Sequence, residues 1–216
     1  MYQVSRLKRI LSYIVPVKIW KGSGTHNPVL ELFLCRGEWQ LSTEDAVYSD
    51  GSVYRPLVVA FQEIRDRLPE AREVLVLGAG LGSAVSVLDR LGFRPRITLV
   101  DIDRTVIDIC SQQIFPDRKE LRFYCDDAAR FLAGTSGSFD VIIIDVFQGR
   151  IVPEFAVRPG FFQHCRSRLS PSGTLVMNYI VNDEAQWKHC LAQFSTVFPE
   201  VTVKNLGVNK VLIARV

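Results

Sequence analysis

The stretch that decides the fold is Val74-Leu75-Val76-Leu77-Gly78-Ala79-Gly80-Leu81-Gly82, with the apolar run Ile97-Thr98-Leu99-Val100-Asp101 following it. The first apolar run is typical of a buried strand, and it leads directly into a glycine-rich turn. Glycines at 78, 80 and 82 let the backbone turn sharply and bring the N–H groups of a following helix close to a ligand. The stretch therefore predicts a βαβ unit that binds a nucleotide.

The acid that ends the second apolar run supports this interpretation. Asp101 lies about twenty residues after the glycine turn, where the acid of a nucleotide-binding βαβ unit accepts hydrogen bonds from ribose hydroxyls. The alternative is an ordinary tight turn beside a solvated carboxylate. Because strand, glycine turn, helix and acid occur in the required order, we favour the nucleotide site.

The length and composition of the chain limit the number and kind of domains that it can form. The chain has 216 residues, of which 48% are hydrophobic and 23% are charged, values that are ordinary for a globular protein. We expect a small N-terminal β-hairpin appendage over residues 1–50 and one Rossmann-like domain over residues 51–216. The formal net charge of +3 is small and the basic residues are scattered, so nothing indicates binding to nucleic acid.

Cysteine usage and the N-terminus bear on location. The five cysteines are widely spaced, with no Cys-x-x-Cys pair, which predicts reduced thiols in a cytoplasmic protein and no metal site. Basic residues followed by an apolar stretch make residues 1–20 resemble the start of a signal peptide, but Pro16 and Lys18 interrupt that stretch. No apolar window approaches the length of a membrane span, so we expect no membrane association.

The rest of the chain predicts alternating strands and helices. Residues 10–20 predict an edge strand, since Pro16 cannot donate to a sheet ladder, and residues 29–35 predict its hairpin partner, whose apolar faces would suit a homodimer contact. Further strands are predicted at 121–124, 139–145, 174–179, 201–205 and 211–216, and helices at 54–68, 104–115, 128–133, 159–169 and 185–197. This order predicts an α/β fold with a doubly wound, mostly parallel sheet and an antiparallel strand from the C-terminal hairpin.

Carboxylates follow three neighbouring strands of this sheet. Asp101 ends the second strand of the unit, Asp126 and Asp127 follow the third, and Asp145 ends the run Phe139-Asp140-Val141-Ile142-Ile143-Ile144. The carboxyl ends of parallel strands share one edge, where ligands bind. Asp101 suits a ribose and Asp126 suits an adenine amino group, while Asp145 lies beyond them, where chemistry would occur.

These motifs resemble the spermidine synthases and their relatives among the class I S-adenosylmethionine-dependent methyltransferases. The resemblance runs from about Val29 to the C-terminus. In that family a Gly-Gly-Gly-Asp-Gly turn is followed by an acid-Ile-Asp strand end, a Gly-Asp pair and a Phe-Asp-Val-Ile-x-Asp strand that leads into a mobile loop. The similar segments here are Gly78–Gly82, Asp101–Asp103, Cys125-Asp126, Phe139–Asp145 and, upstream, Gln40 and Glu44–Asp50.

The resemblance implies a site and its ligands. It implies S-adenosylmethionine or its decarboxylated form as cofactor, no metal, and a small molecule as acceptor. Asp145 would be the catalytic carboxylate, and Tyr48 would help to shape the pocket. The residues implied in cofactor binding are Gly78, Ala79, Gly80, Gly82, Asp101, Ile102, Asp126, Asp127 and Gln40.

Three departures from the family pattern bear on the reaction. Leu81 stands where the family has the Asp that engages the amine of decarboxylated S-adenosylmethionine, Gln148 replaces a second loop acid, and Ser49 replaces a Gln. Losing carboxylates weakens the attraction for a polyamine, whereas a neutral Leu81 would tolerate the carboxylate of S-adenosylmethionine. We therefore expect methyl transfer to a small acceptor on a spermidine-synthase-like, class I methyltransferase-like fold.

Other functions stay open at this point. One is aminopropyl transfer from decarboxylated S-adenosylmethionine, and another is a non-catalytic nucleotide-binding module, which the lost acids would explain. An NAD-dependent oxidoreductase is disfavoured, because Ser83 stands where the third dinucleotide glycine would be and no second domain follows. The loop over residues 146–158 is long enough to fold over a ligand.

Overall fold

A seven-stranded sheet forms the centre of the molecule and positions the strand ends that the sequence singled out. The computed structural model describes residues 4–43 and 47–216; the segment 44–46 and the side chains of Val47 and Tyr48 lie outside that description. Its strands are β5 (Glu73–Leu77), β6 (Arg96–Asp101), β7 (Leu121–Cys125), β8 (Phe139–Ile144), β9 (Leu169–Ile180), β10 (Val201–Leu206) and β11 (Asn209–Arg215). Their order across the sheet is β10-β11-β9-β8-β5-β6-β7.

The pairing within this sheet confirms the predicted fold class. Strands β9, β8, β5, β6 and β7 run parallel to one another, whereas β11 runs antiparallel to both β9 and β10. The seven helices are α1 (Arg6–Leu11), α2 (Arg55–Glu63), α3 (Ser83–Leu91), α4 (Arg104–Ile109), α5 (Ala128–Gly134), α6 (Pro159–Arg168) and α7 (Glu184–Val197), within the described ranges. The carboxyl ends of β5 to β8 therefore meet at one edge.

Strand β8 shows why the sheet has apolar layers on both faces. Ile142 and Ile144 pack into one core cluster, whereas Val141 and Ile143 pack into the cluster on the opposite face. Successive strand residues point to opposite faces, so a continuous apolar run is needed where both faces are covered. This confirms the prediction that the run belongs to a central strand of a parallel sheet.

A second, antiparallel sheet is built from the N-terminal residues. Its order is β1 (Val17–Gly22), β2 (Leu30–Cys35), β3 (Glu38–Ser42) and β4 (Val47–Ser49). The predicted strand over residues 10–20 is wrong in its first half. Ser5 caps helix α1 by accepting the Lys8 N–H, at 3.3 Å, and the strand begins only after Pro16, which has no N–H for a ladder.

The two sheets are joined by a small apolar cluster. Leu30, Leu32 and Leu41 of the N-terminal sheet pack against Leu81, Val106 and Ile109 of the larger unit. We propose that the N-terminal appendage ends at residue 50 and the Rossmann-like domain begins at residue 51, since the last strand of the N-terminal sheet, β4, ends at Ser49. The apolar side chains at Leu7, Ile10 and Ile14 are exposed, and the homodimer contact through this region stays a prediction.

Two predicted boundaries need correction. Helix α2 ends at Glu63 and continues as hydrogen-bonded turns to Glu70. The strand predicted over residues 174–179 begins earlier, at Leu169, and its pairing with β8 shifts between Phe139–Leu169 and Val141–Thr174, which accommodates the extra residues. The loop over residues 146–158 contains a 3-10 turn, Glu154–Val157. Within the described residues, no helix is both long and apolar enough to cross a bilayer.

Candidate active site

A cavity of about 640 Å³ opens at the carboxyl edge of the main sheet. The turn after β5 and the ends of β6, β7 and β8 form its floor. The loop over residues 146–155 forms one wall, and the N-terminal loop over residues 26–29 forms another. The cavity therefore lies where the strand order predicts a ligand site.

The glycine turn supplies the backbone that borders the cavity. Gly78 has a φ of +87°, and a Cβ there would lie 2.2 Å from the Asp145 carbonyl oxygen. Gly82 has a φ of +76° and precedes α3, and a Cβ there would lie 2.6 Å from the Phe115 ring. Only glycine fits both positions without displacing the backbone or ring it touches. Gly78 and Gly80 line the cavity, whereas Ala79 is buried in the core.

Asp101 holds the glycine turn in place. Its Oδ2 accepts the Gly80 N–H at 3.0 Å, and its Oδ1 accepts the Asp103 N–H at 3.0 Å. Burial raises the pKa of the Asp101 carboxyl to about 6, although these two hydrogen bonds oppose the shift. Ile102, the next residue, is exposed and lines the cavity beside Asp101.

Asp126 and Asp127 lie at the end of β7, and both line the cavity. Asp127 caps helix α5, since its Oδ1 accepts the Arg130 N–H at 2.9 Å. Asp126 forms an ion pair with the Arg130 guanidinium, and its Oδ1 also accepts the Asp127 N–H at 2.8 Å. Some of the acceptor positions on these two carboxylates are therefore already occupied by groups of the protein, and fewer remain for a ligand.

Asp145 lies within a hydrogen-bonded network that the sequence analysis missed. Its Oδ1 accepts from the Tyr54 hydroxyl at 3.2 Å and from the Asn178 side-chain amide at 2.9 Å. Asn209 in turn donates to the Asn178 Oδ1 at 3.0 Å. Burial raises the pKa of Asp145 to about 6, against the effect of its two donors, and it also raises the pKa of Tyr54. A buried amide within an apolar strand, as at Asn178, is the signal that could have found this network.

Asp103 anchors the N-terminal wall, a role that the sequence analysis also missed. It is fully buried. Its Oδ1 accepts from the Thr25 and Thr105 N–H groups, and its Oδ2 accepts from the His26 N–H and from both the backbone and side chain of Asn27, all at 2.9 to 3.2 Å. Burial opposes ionisation of Asp103, but the hydrogen bonds outweigh it and lower its pKa. This carboxylate holds the loop that carries His26 and Asn27 over the cavity.

Some predicted site residues lie elsewhere. Gln40 does not line this cavity; its amide donates to Asp50 Oδ1 at 3.0 Å in a separate depression beside α3. The Ser49 hydroxyl is buried 2.7 Å from that of Ser83. The backbone of Tyr48 belongs to β4, but its side chain lies outside the described residues, so its role stays a prediction.

Leu81 also lies away from the cavity. Its side chain is 3% exposed and packs in the cluster with Leu30, Leu32 and Leu41. The inference that a neutral Leu81 would tolerate the carboxylate of S-adenosylmethionine assumed that this side chain faces the ligand. Its position in the core removes that argument for methyl transfer.

The charge of the lining favours a cationic ligand. Asp101, Asp126, Asp127 and Asp145 all line the cavity, and no lysine or arginine does so in the part of the chain that the structure describes. Among these same residues, no group of three or more His, Cys, Asp or Glu side chains could hold a metal ion. The lining therefore attracts positive charge without the clustered donors of a metal site.

The raised pKa of Asp145 predicts a pH dependence of stability. Its ordinary value is 3.8 and its folded value is about 6, so its contribution to stability is full below pH 3.8 and is lost as the pH rises through about 6. An Asp145→Asn variant lacks this titration. Between pH 4 and pH 7 we expect the wild type to lose about 2–3 kcal/mol of unfolding free energy relative to the variant, measured by urea denaturation. A difference that stays constant with pH would contradict the assignment.

The family model and the curated relatives that this chain matches agree on one family. The family model described as spermine/spermidine synthase domain matches residues 57–207. A polyamine aminopropyltransferase of Clostridium beijerinckii is 28% identical over 170 residues, which cover 74% of this chain and 57% of that protein. Polyamine aminopropyltransferase 1 of Pseudomonas aeruginosa is 38% identical over 113 residues, which cover 49% of this chain and 39% of that protein. The chain thus spans about half the length of the curated relatives it matches.

A solved structure shares the fold. The crystal structure of a probable spermidine synthase from Corynebacterium glutamicum superposes with a TM-score of 0.74 and 22% sequence identity. The match covers 91% of this chain and 79% of that chain. At this identity the likeness shows the fold alone.

Proposed function

Because the chain belongs to the spermine/spermidine synthase domain family, we propose that it transfers an aminopropyl group from decarboxylated S-adenosylmethionine to a small amine. The observation that carries the proposal is the lining of the cavity, with four aspartates and no lysine or arginine among its described residues. Decarboxylated S-adenosylmethionine carries a sulfonium and an ammonium group and no carboxylate. S-Adenosylmethionine adds a carboxylate that these aspartates would repel.

The cavity floor suits the nucleoside part of this donor. We propose that Asp101 accepts hydrogen bonds from the ribose hydroxyls, since each of its oxygens has capacity beyond its one backbone partner. Asp126 would accept from the adenine amino group at the β7 end. Gly78 and Gly80 allow the ligand to approach the backbone closely.

The proposed reaction is a displacement at carbon. The amine nitrogen attacks the propyl carbon that is bonded to the sulfonium sulfur, and an N–C bond forms as the C–S bond breaks. The bonding electrons remain on sulfur, so neutral methylthioadenosine leaves. Asp145 orients the amine and accepts the proton that the nitrogen loses, which then passes to solvent. The sulfonium is already activated, so positioning and proton removal are the main contributions of the protein.

Methyl transfer from S-adenosylmethionine is the competing function. In the sequence, the three departures from the family pattern at Leu81, Gln148 and Ser49 favour it. The structure buries Leu81 and Ser49 away from the cavity and leaves only Gln148 in its lining. One neutral residue beside four aspartates is weak support for a ligand that carries a carboxylate. A non-catalytic nucleotide-binding module is distinguished from both enzymes by turnover.

Thermal melting of the purified protein separates these functions. With decarboxylated S-adenosylmethionine and methylthioadenosine each at about a hundred times its own dissociation constant, we expect the melting midpoint to rise by about 5–10 °C. S-Adenosylmethionine and S-adenosylhomocysteine at the same concentrations should raise it less. The reverse order would favour methyl transfer. Ligand binding without release of methylthioadenosine from the donor in the presence of any amine would favour the non-catalytic module.

A further inference from the structure

Exposed apolar side chains are concentrated near the N-terminus. Thirteen large hydrophobic side chains are exposed among the described residues, and six of them fall within nine positions: Leu7, Ile10, Leu11, Tyr13, Ile14 and Val15. Helix α1, which spans Arg6–Leu11, buries none of its own residues. A contiguous apolar patch on the outside of a folded protein marks a surface that binds another surface. We refer to the exposed side chains of residues 6–15 as the N-terminal face.

The N-terminal face is amphipathic. Four of its apolar residues follow the i, i+3, i+4, i+7 spacing that places side chains on one side of a helix: Leu7, Ile10, Leu11 and Ile14. The Ile14 N–H donates to the Leu11 carbonyl at 2.9 Å, so turns continue past the end of α1. Three exposed basic residues fall on either side of this apolar stripe: Arg6, Lys8 and Arg9. An apolar stripe with basic flanks is typical of a helix that lies on a membrane surface.

Positive charge is segregated into this part of the chain. Five of the 26 Lys and Arg residues lie in the first 30 positions, whereas none of the 23 Asp and Glu residues does. Lys18 and Lys21 form ion pairs with Glu31. No ion pair found among the described residues involves the basic side chains of the N-terminal face. These three cations therefore point to an anionic partner outside the molecule.

Ser12, the buried residue within this segment, fixes the face in position. Its Oγ accepts the Gly37 N–H at 3.0 Å, and its carbonyl accepts the Arg36 N–H at 2.7 Å, both in the turn before β3. Thr43, which lines the cavity, follows the other end of β3, about 15–20 Å along an extended strand from that turn. The acidic segment 44–46 follows Thr43 directly. The N-terminal face is therefore held at the end of β3 that lies away from the cavity.

We propose that the N-terminal face docks on an anionic lipid surface. The apolar stripe would enter the boundary between headgroups and acyl chains, and the basic flanks would contact the lipid phosphates. The described residues include no helix long and apolar enough to span a bilayer, and docking of this kind needs none. The expectation of no membrane association rested on the missing span, which does not bear on attachment to one leaflet.

A second copy of the chain competes for the same face, since the sequence predicts a homodimer contact in this region. In a two-fold contact the same patch of both copies meets, so the three basic side chains of each copy would come together. Residues 6–15 include no acid that could pair with them. Like charges brought together at an interface are unfavourable. Anionic lipids supply the countercharge that a second copy of this face lacks.

Flotation of the full chain with lipid vesicles tests the proposal. We expect binding to vesicles in which about one lipid in three is phosphatidylglycerol, and at least about tenfold weaker binding to pure phosphatidylcholine. Raising the salt concentration from about 0.1 M to about 1 M should also weaken binding, because the screening length falls from about 10 Å to about 3 Å. Wild-type protein that binds neither kind of vesicle, or binds both equally, would overturn the proposal.

Two double variants locate the binding surface. Leu7→Gln with Ile14→Gln removes the two most exposed large apolar side chains, at 74% and 79% exposure. Lys8→Gln with Arg9→Gln removes two of the three charges. Each pair should weaken binding to the anionic vesicles by on the order of tenfold or more. The circular dichroism spectrum and the melting midpoint should stay those of the wild type, because all four side chains are exposed.

Matched pairs outside the face serve as controls. Val203→Gln with Val208→Gln, on the C-terminal hairpin, and Lys119→Gln with Lys188→Gln change exposed side chains of the same kinds and should bind as the wild type does. Equal binding by the control pairs and the pairs within the face would overturn the proposal. A dimer in sedimentation equilibrium that dissociates in the Leu7→Gln, Ile14→Gln protein would overturn it as well, since a second copy then covers the face.

Discussion

Replacing Asp145 by Asn is expected to lower the rate of group transfer by about a thousandfold. Asp145 lines the cavity directly after β8, and a neutral amide there can neither hold the ammonium group of the acceptor amine nor accept its proton. The Asn side-chain oxygen can still accept from Tyr54 and Asn178, which both donate to Oδ1 in the wild type. The variant should therefore fold and bind the donor. Methylthioadenosine release at saturating donor and amine measures the loss in kcat.

The control for this prediction is Asp117→Asn, a change of an exposed carboxylate outside the cavity. It should retain the activity of the wild type. If Asp145→Asn keeps more than about a tenth of the wild-type rate, Asp145 is not the proton acceptor. If the variant loses donor binding as well as turnover, Asp145 acts mainly in building the cavity.

The sheet could be predicted because its signals are local. The run Ile142–Ile144 is apolar at every position, which requires burial on both faces and so a central strand. The three glycines predicted a sharp turn, and in the structure Gly78, Gly80 and Gly82 all have the positive φ values that glycine adopts readily. The resemblance to the spermidine synthases, stated from these motifs, is confirmed by the family match.

The pairing of residues over long sequence separations could not be found in this way. Tyr54 and Asn178 are 124 positions apart, and Thr25 lies 78 positions before Asp103. Nothing in the local pattern around Tyr54 pairs it with a strand near the other end of the chain. The structure brings them together because α2 packs against the sheet near β9 and β11.

Leu81 shows how a motif can assign a residue to the wrong environment. The motif places Leu81 in the ligand-binding turn and so predicts that its side chain is part of the pocket. In the structure Gly78 and Gly80 border the cavity, whereas Ala79 and Leu81 point into two different apolar clusters. The apolar partners of Leu81 belong to the N-terminal sheet, which the turn itself does not reveal.

Replacing Asp103 by Ala is expected to destabilise the protein by about 3–5 kcal/mol. The carboxylate is fully buried and accepts from the backbone of Thr25, His26 and Asn27 in the N-terminal loop. Its removal leaves these N–H groups without their acceptor and releases the loop from the rest of the molecule. Urea denaturation measures the loss, and hydrogen exchange should become faster at these three amides first.

The same substitution tests whether the loop is part of the binding site. His26 and Asn27 line the cavity only because Asp103 holds them there, so the variant should bind methylthioadenosine at least about tenfold more weakly even where it is fully folded. Asp103→Asn keeps one acceptor oxygen and should show roughly half of each effect. A folded Asp103→Ala protein with unchanged affinity would mean that the loop borders the cavity without contributing to binding.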